Sequence, residues 1–408
     1  MHPFTGLATR EDGAVKVCCR SAPIGFIKDN TLEELWNNKT MQQVRRQVLC
    51  GERPDVCKPC FDLEDQGVES LRQRHINGVI PEARINLYPN TPLQEIMPFE
   101  FPTMEIKLNN LCNLKCRMCN PLDSTNWKDW EKVVPFYKKE NNFLVPTIED
   151  TVKTPGQYIG AFDDTDNWWA SFEKLLPHFR RVEFAGGEPL MDPQHYKILD
   201  MLKPYGKNIE IKYATNGTTL GISKGRTIHD YWPYFRSVAV NVSLDGIGDV
   251  YNYIRGNGDW NQVVQNIKEI QQIPNVSRVV GAFTAQAGNI LQAAECIDHF
   301  INELNIVFYS HRVSYPNCLS AQVLPQELKE LAISRLESVS RRLFSFPNIE
   351  KYPILEKITQ RQIKDNINYL RAKDQSHLWK DFLEFNRELD ATRGQDLLSV
   401  VPEFRAFT

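Results

Sequence analysis

Between residues 110 and 120 the chain reads NLCNLKCRMCN, which sets Cys112, Cys116 and Cys119 in a C-x3-C-x2-C spacing. Disulfides are rare in reducing compartments, so thiols packed this densely point to metal binding or catalysis. Four thiolates would close a structural zinc or iron–sulfur site. Three leave one metal position without a protein ligand, which is what a reactive metal centre keeps for substrate or cofactor. On a 4Fe-4S cluster the vacant iron can take a small chelating ligand, such as the amino and carboxylate groups of an amino acid.

Other short stretches carry groups suited to such a ligand. AGGEP holds Gly186, Gly187, Glu188 and Pro189: two glycines admit a close approach, and the carboxylate accepts from an ammonium. ATNG offers Thr215 and Asn216, SLDG offers Ser243 and Asp245, and YIRG offers Arg255 for pairing with a carboxylate. Each has a plainer reading alone: a turn, a capped strand-to-helix connection, a solvated helix-end charge. A second thiol group lies nearer the N-terminus, with Cys18, Cys19 and Cys50 followed by the CKPC pair, Cys57 and Cys60. Cys296 and Cys318 stand alone and read as small buried hydrophobes.

The elements that must position these groups alternate along the chain. TMEIKLN (103–109), RVEFAG (181–186), IEIKYATN (209–216), SVAVNVSLD (237–245), RVVGAFTA (278–285) and NIVFYSHRV (305–313) read as strands, several of them nearly continuous in apolar residues. Amphipathic helical stretches such as NWWASFEKLLPHF, PQHYKILDMLKPY and WNQVVQNIKEIQQI lie between them. Strand–helix alternation implies parallel strands with right-handed crossovers, in an open doubly wound sheet or an incomplete barrel. Functional residues of parallel barrels gather at the C-terminal ends of the strands. AGGEP, ATNG and SLDG fall at such ends in three different strands, with YIRG a short helix after the last of them.

The flanks differ. GLATREDGAVKVCC reads as a hairpin turning at Asp12-Gly13, followed by one or two helices with Thr31 as N-cap and Gly51 just past the end. Residues 76–102 hold five prolines and read as a connection; 143–166 read as an insertion; 321–408 read as helical. The expected architecture is therefore α/β: a partial (β/α)6 barrel over 103–320, a small Cys-rich hairpin and helix module over 1–75, and a helical C-terminal extension. Trp168, Trp169, Tyr309, His311 and Tyr315 are candidates for lining the cleft, though such aromatics more often fill cores.

Composition narrows the function classes. The net charge is −3 and no basic run appears, which argues against a nucleic-acid groove. No stretch has the length of a membrane span, and the N-terminus lacks signal-peptide features, so the cytoplasm is the expected location.

Taken together, C-x3-C-x2-C after the first strand, GGEP, ATNG, SLDG and YIRG resemble the radical S-adenosylmethionine (radical SAM) superfamily. The resemblance implies that Cys112, Cys116 and Cys119 hold a 4Fe-4S cluster whose fourth iron chelates SAM. It also implies that Gly186–Pro189, Thr215, Asn216, Ser243, Asp245 and Arg255 position SAM. One electron from the cluster then releases a 5′-deoxyadenosyl radical that abstracts hydrogen from substrate, with flavodoxin or ferredoxin as the kind of reductant required. The N-terminal module resembles the twitch/SPASM auxiliary-cluster module, here preceding the barrel. That implies a second iron–sulfur cluster on Cys18, Cys57 and Cys60, with His2, Cys19, Cys50 or a residue further upstream as the fourth ligand. Relatives of this type imply a peptide or protein substrate, with oxidation of a small molecule such as a sugar as the alternative. A non-catalytic iron–sulfur or zinc-binding scaffold is the competing class.

Overall fold

An Asp-Gly pair shapes the first turn of the chain. Gly13 takes φ +82°, the left-handed region that glycine enters without a Cβ clash. Asp12 Oδ1 accepts the Ala14 N–H at 3.1 Å, and strands β1 (Gly6–Thr9) and β2 (Ala14–Lys16) pair antiparallel across the turn. Strand β3 (Pro23–Phe26) adds antiparallel to β2. The computed structural model describes residues 2–65, 67, 70–73, 93–140, 144–163, 165–313, 315–351 and 354–408. They form two units: Met1–Leu111 with Tyr158–Ala214 and Gly221–Ala239, and Cys112–Gln157 with Thr215–Leu220 and Val240–Thr408.

In the first unit, β4 (Thr103–Ile106), β5 (Arg181–Phe184) and β6 (Glu210–Thr215, its last residue in the second unit) run parallel and in register. The hairpin is not a separate layer. β1 pairs parallel with β4, Gly6 opposite Thr103, so the sheet runs β6-β5-β4-β1-β2-β3. A Cβ at Gly6 would stand 2.3 Å from the Thr103 carbonyl oxygen, so only glycine allows this approach. The three parallel strands alternate instead of being apolar throughout. Met104, Ile106, Val182, Phe184, Ile211 and Tyr213 are buried on one face. The other face carries charges joined across strands, Arg181 to Glu210 at 2.7 Å and Lys212 to Glu183 at 2.7 Å. Two short strands, β7 (Gly221–Ser223) and β8 (Arg226–Thr227), form a separate hairpin.

The unit's helices follow their caps. Thr31 and Glu34 form a capping box before Leu32–Trp36, and Asn38 caps Lys39–Leu49, which ends ahead of Gly51 at φ +76°. Helices Asp166–Leu175 and Pro193–Leu202 bury Trp168, Phe172, Tyr196 and Leu199. Residues 76–92 of the proline-rich connection lie outside the described residues.

Strand β9 (Ser237–Ser243) passes from the first unit into the second, where it neighbours β10 (Val276–Ala285). β10 pairs parallel with β11 (Val307–Arg312), from Val280 opposite Val307 to Ala285 opposite Arg312. Residues 279–283 of β10 are buried without a break, as a strand covered on both faces requires. Helices Trp260–Ile270 and Ala293–Asn302 accompany these strands. The expected C-terminal helices form over Gln326–Arg342, Ile354–Ala372 and Trp379–Arg393. Within the stretch expected as an insertion, Leu144–Thr151 is helical and buries Val145 and Ile148. The fold is the α/β class expected from the strand–helix alternation, with parallel pairing in both units. Among the described residues no helix is long and apolar enough to cross a membrane.

Candidate active site

The three-cysteine loop opens the second unit, and its geometry is set by backbone bonds to one short segment. Lys115 N–H donates to the Gly256 carbonyl at 3.0 Å and Arg117 N–H to the Ile254 carbonyl at 2.9 Å, which brackets Arg255. The cysteine carbonyls are held as well. Asn126 Nδ2 donates to that of Cys112 at 2.7 Å, and Trp127 Nε1 to that of Cys116 at 2.6 Å. Cys112 and Cys116 are buried, Cys119 is half-buried, and Leu114 and Met118 pack among them. All ten cysteines are free thiols.

The sulfurs are prepared for charge. Cys112 Sγ accepts the Leu114 N–H at 3.5 Å and the Asn216 amide at 3.8 Å, contacts that favour a thiolate. Burial raises the Cys116 and Cys119 thiols above the ordinary range, with Asp123 and the other two cysteines adding to the effect at Cys119. A metal cluster displaces those protons and supplies the missing positive charge. Among the described residues no three His, Cys, Asp or Glu side chains converge as a single-ion site. A cubane instead spreads its cysteine ligands over separate irons. The donor set fits a cluster of that kind.

Asp245 and Arg255 form a buried pair beside this loop. Asp245 Oδ2 accepts Arg255 Nη1 at 3.0 Å and its Oδ1 accepts the Thr284 N–H at 2.6 Å, while Asn289 donates to the Asp245 carbonyl at 3.0 Å. Burial opposes the Arg255 charge, but Cys116 and Asp245 outweigh it and raise its pKa. Arg255 Nε is buried without a hydrogen-bond partner, so the guanidinium keeps a donor for a further group. Asn216 ties the end of β6 to the loop through Asn113 Oδ1 at 2.9 Å, and Thr215 Oγ1 accepts the Gly217 N–H at 3.0 Å. Ser243 is the half-buried last residue of β9.

The GGEP turn belongs to the first unit. Gly187 N–H donates to the Asn109 carbonyl at 3.2 Å and Glu188 N–H to that of Leu111 at 2.7 Å. A Cβ at Gly187 would meet the Leu111 oxygen at 2.3 Å, which is why this position takes glycine. The turn therefore rests on the segment that runs directly into Cys112. Glu188 is buried and its Oε1 caps the Leu190 N–H at 3.1 Å ahead of Pro189–Met191. Behind it, His195 is wholly buried and bonded to Tyr213 at 2.8 Å.

The N-terminal thiols also lie in the first unit. Cys57 ends a 3-10 turn, and Cys60 is buried in helix Lys58–Glu64. Burial, with Cys18 and Cys60 adding to it, pushes the Cys57 thiol up to about 11. Burial also raises Cys18, and Cys60 adds to it. Cys18, Cys57 and Cys60 thus stand within one another's electrostatic reach. Cys19 is pushed well above its usual range by burial and then by the Glu105 carboxylate. Cys50 is exposed at the end of helix Lys39–Leu49, and the His2 side chain lies outside the described residues.

Sequence reasoning missed the groups that support the cysteine loop. Arg117 has no exposed side-chain surface. It stacks 3.6 Å from the Tyr253 ring centroid and bonds Asn386 at 2.9 Å, Gln395 at 3.0 Å and Asp390. Arg393 donates to the Lys115 carbonyl at 2.7 Å and to Asp129 at 2.9 Å. A buried arginine inside a thiol motif was the available signal for a partner; nothing marked Asp390, which lies in the last long helix. Of the aromatics expected at a cleft, Trp168 is core, Trp169 lies under Lys197, and Tyr309 packs edge-on to His311. Tyr315 lines a cavity.

Residues 106–284 match the radical SAM superfamily model, and residues 1–61 match that of an iron-sulfur cluster-binding domain, SPASM. The chain thus contains a radical SAM domain, the kind that binds a 4Fe-4S cluster and SAM, and an N-terminal domain of the kind that carries auxiliary iron–sulfur clusters. No curated protein matches it in sequence. Among solved structures it is similar to native anSMEcpe with bound AdoMet and Kp18Cys peptide, at 14% identity over 60% of this chain and 61% of that one, TM-score 0.39. It is also similar to Streptococcus suis SuiB bound to S-adenosylmethionine, at 16% identity over 74% of this chain and 57% of that one, TM-score 0.33. The chain thus spans less than two thirds of the length of either structure.

Proposed function

We propose that this protein is a radical SAM enzyme that modifies a peptide or protein in the cytoplasm, drawing electrons from a flavodoxin- or ferredoxin-type reductant. The observation that carries the reading is the Cys112–Cys116–Cys119 loop, with hydrogen-bond donors on the Cys112 sulfur and the Asp245–Arg255 pair bracketed against it. Cys112, Cys116 and Cys119 would hold the catalytic cluster, leaving one iron for SAM. When bound, the cluster supplies the electron that cleaves SAM to the 5′-deoxyadenosyl radical, which takes a hydrogen atom from substrate.

The chain's own residues divide the remaining work. The unused Arg255 donor suits the SAM carboxylate, and Asp245 holds that guanidinium in place. Gly186–Pro189, Thr215, Asn216 and Ser243 complete the proposed SAM set. Cys18, Cys57 and Cys60 would hold an auxiliary cluster, with Cys19 the neighbouring thiol for a fourth bond.

Anaerobic reconstitution followed by incubation with SAM and dithionite tests the reading. The wild-type chain should yield 5′-deoxyadenosine and Cys116→Ala should yield none. Equal yield from both would refute the assignment, and a protein that binds zinc but no iron or sulfide would replace it with the scaffold class.

A further inference from the structure

Tyr137, in the second unit, carries a hydroxyl that the fold itself does not use. The residue is 1% exposed, and its oxygen has no hydrogen-bond partner. A buried hydroxyl left unmatched costs free energy, so its surroundings decide what it is for. Burial pushes the phenol well above its ordinary range, which keeps the group a protonated donor. Its helix, Trp130–Lys138, is tied to the cysteine loop through aromatic rings. Trp127 Nε1 donates to the Cys116 carbonyl at 2.6 Å, the Trp127 and Trp130 ring centroids are 6.4 Å apart, and those of Trp130 and Tyr137 are 4.8 Å apart. Tyr137 also lines one cavity with Met118 and Asn120, the residues on either side of Cys119.

Four groups act on the phenol electrostatically: Cys119 first, then Cys318, Glu140 and Asp123. Three of them are engaged elsewhere or accept poorly. Glu140 turns one oxygen to the Asn317 N–H at 2.6 Å, and its other oxygen is unbonded, so it does not reach the hydroxyl. Asp123 Oδ2 accepts Asn120 Nδ2 at 2.9 Å. Burial pushes the Cys318 thiol up, so it stays neutral and a weak acceptor. Cys119 differs. As a thiol it donates to the Asn120 carbonyl at 3.7 Å, and among the described residues its sulfur accepts no hydrogen bond, whereas Cys112 Sγ accepts two. A metal-bound thiolate has lost that proton and can only accept. A donor lacking an acceptor then stands beside an acceptor lacking a donor.

We infer that Tyr137 is a positioning residue for the catalytic centre: its hydroxyl donates to the Cys119 thiolate of the cluster-loaded protein and raises the cluster's reduction potential. A hydrogen bond to a ligand sulfur draws negative charge from it, which favours the more negative, reduced state. The inference rests on the proposed cluster at Cys112, Cys116 and Cys119, and deepens that reading by naming a residue that sets how readily the cluster takes its electron.

The test compares wild type with Tyr137→Phe, both reconstituted anaerobically. Electron paramagnetic resonance during a redox titration gives the midpoint potential, and the signal that Cys116→Ala abolishes identifies the cluster. Tyr137→Phe should lower that potential, by about 59 mV for each tenfold loss in the one-electron reduction constant. Melting of the two apoproteins is the second measure: a hydroxyl without a partner contributes nothing there, so its removal should leave the melting temperature equal or higher. Equal potentials, a higher potential in the variant, or a variant apoprotein that melts below wild type overturns the inference. Loss of the cluster from a variant whose apoprotein melts at or above wild type supports the contact. Addition of SAM reports separately on the radical SAM reading. A cluster signal that SAM leaves unchanged, with the potential still lowered in Tyr137→Phe, sinks that reading alone; a SAM-responsive signal with equal potentials sinks only the role of Tyr137.

Discussion

Removing the Asp390 carboxylate should loosen the cysteine loop from a distance of more than 270 residues along the chain. Arg117 is wholly buried between Cys116 and Met118, and Asp390 is the acidic group paired with it. Deleting one partner of a buried pair costs about 3–5 kcal/mol, because the other charge stays desolvated. Here Asp390 keeps 13% of its side-chain surface in water, and Arg117 retains Asn386, Gln395 and the Tyr253 ring. The lower end, about 3 kcal/mol, is therefore the expected cost of Asp390→Ala. For a unit of this size that corresponds to a fall in melting temperature of roughly 6–12 °C. Asp390 also accepts the Leu397 N–H at 2.9 Å and the Tyr253 hydroxyl at 3.3 Å. Asp390→Asn keeps an acceptor for both and should recover part of the loss, isolating the contribution of charge. Melting would be followed by circular dichroism, and bound iron and sulfide counted on the same anaerobic samples. The Ala variant should lose cluster occupancy along with stability. A melting temperature within about 1 °C of wild type, or full iron content in a clearly destabilised variant, would refute the coupling between the last helix and the loop.

Gly187→Ala places a Cβ 2.3 Å from the Leu111 oxygen, so backbone must move; a loss of about 1–3 kcal/mol with reduced iron at the adjacent Cys112 is expected, and a fully loaded, equally stable variant would contradict it. Asp192 and His195 give opposite pH responses. Burial raises Asp192 to about 6, so its stabilising protonated form is fully present below 3.8 and lost as pH rises through about 6. Burial lowers His195 to about 3, so its contribution is fully present above 6.5 and lost as pH falls from there toward 3. The two slopes oppose one another between pH 4 and 6: Asp192→Asn should make melting temperature fall more steeply with acid, and His195→Gln should make it fall more steeply toward neutral pH. Unchanged slopes in both variants would count against these burial effects.

Strand type and order were legible because β-branched and aromatic runs alternate with helical periods, and that pattern needs no tertiary information. The hairpin was legible too, since Asp12-Gly13 permits few other conformations. What the pattern could not carry was β1 lying against β4. That pairing joins residues almost a hundred positions apart and is signalled only by Gly6, whose missing Cβ makes room for Thr103. The same limit applied at the site. Thiol spacing, paired glycines and a strand-end aspartate are local signatures, so the residues offered for the cluster and SAM could be named from short windows. Asp390 carries no such signature, because it acquires its role from a partner supplied by another element, the buried guanidinium of Arg117. Local chemistry therefore names the candidate ligands in this chain, while long-range packing supplies the groups that hold them in place, as Arg117 and Asp390 do for the cysteine loop.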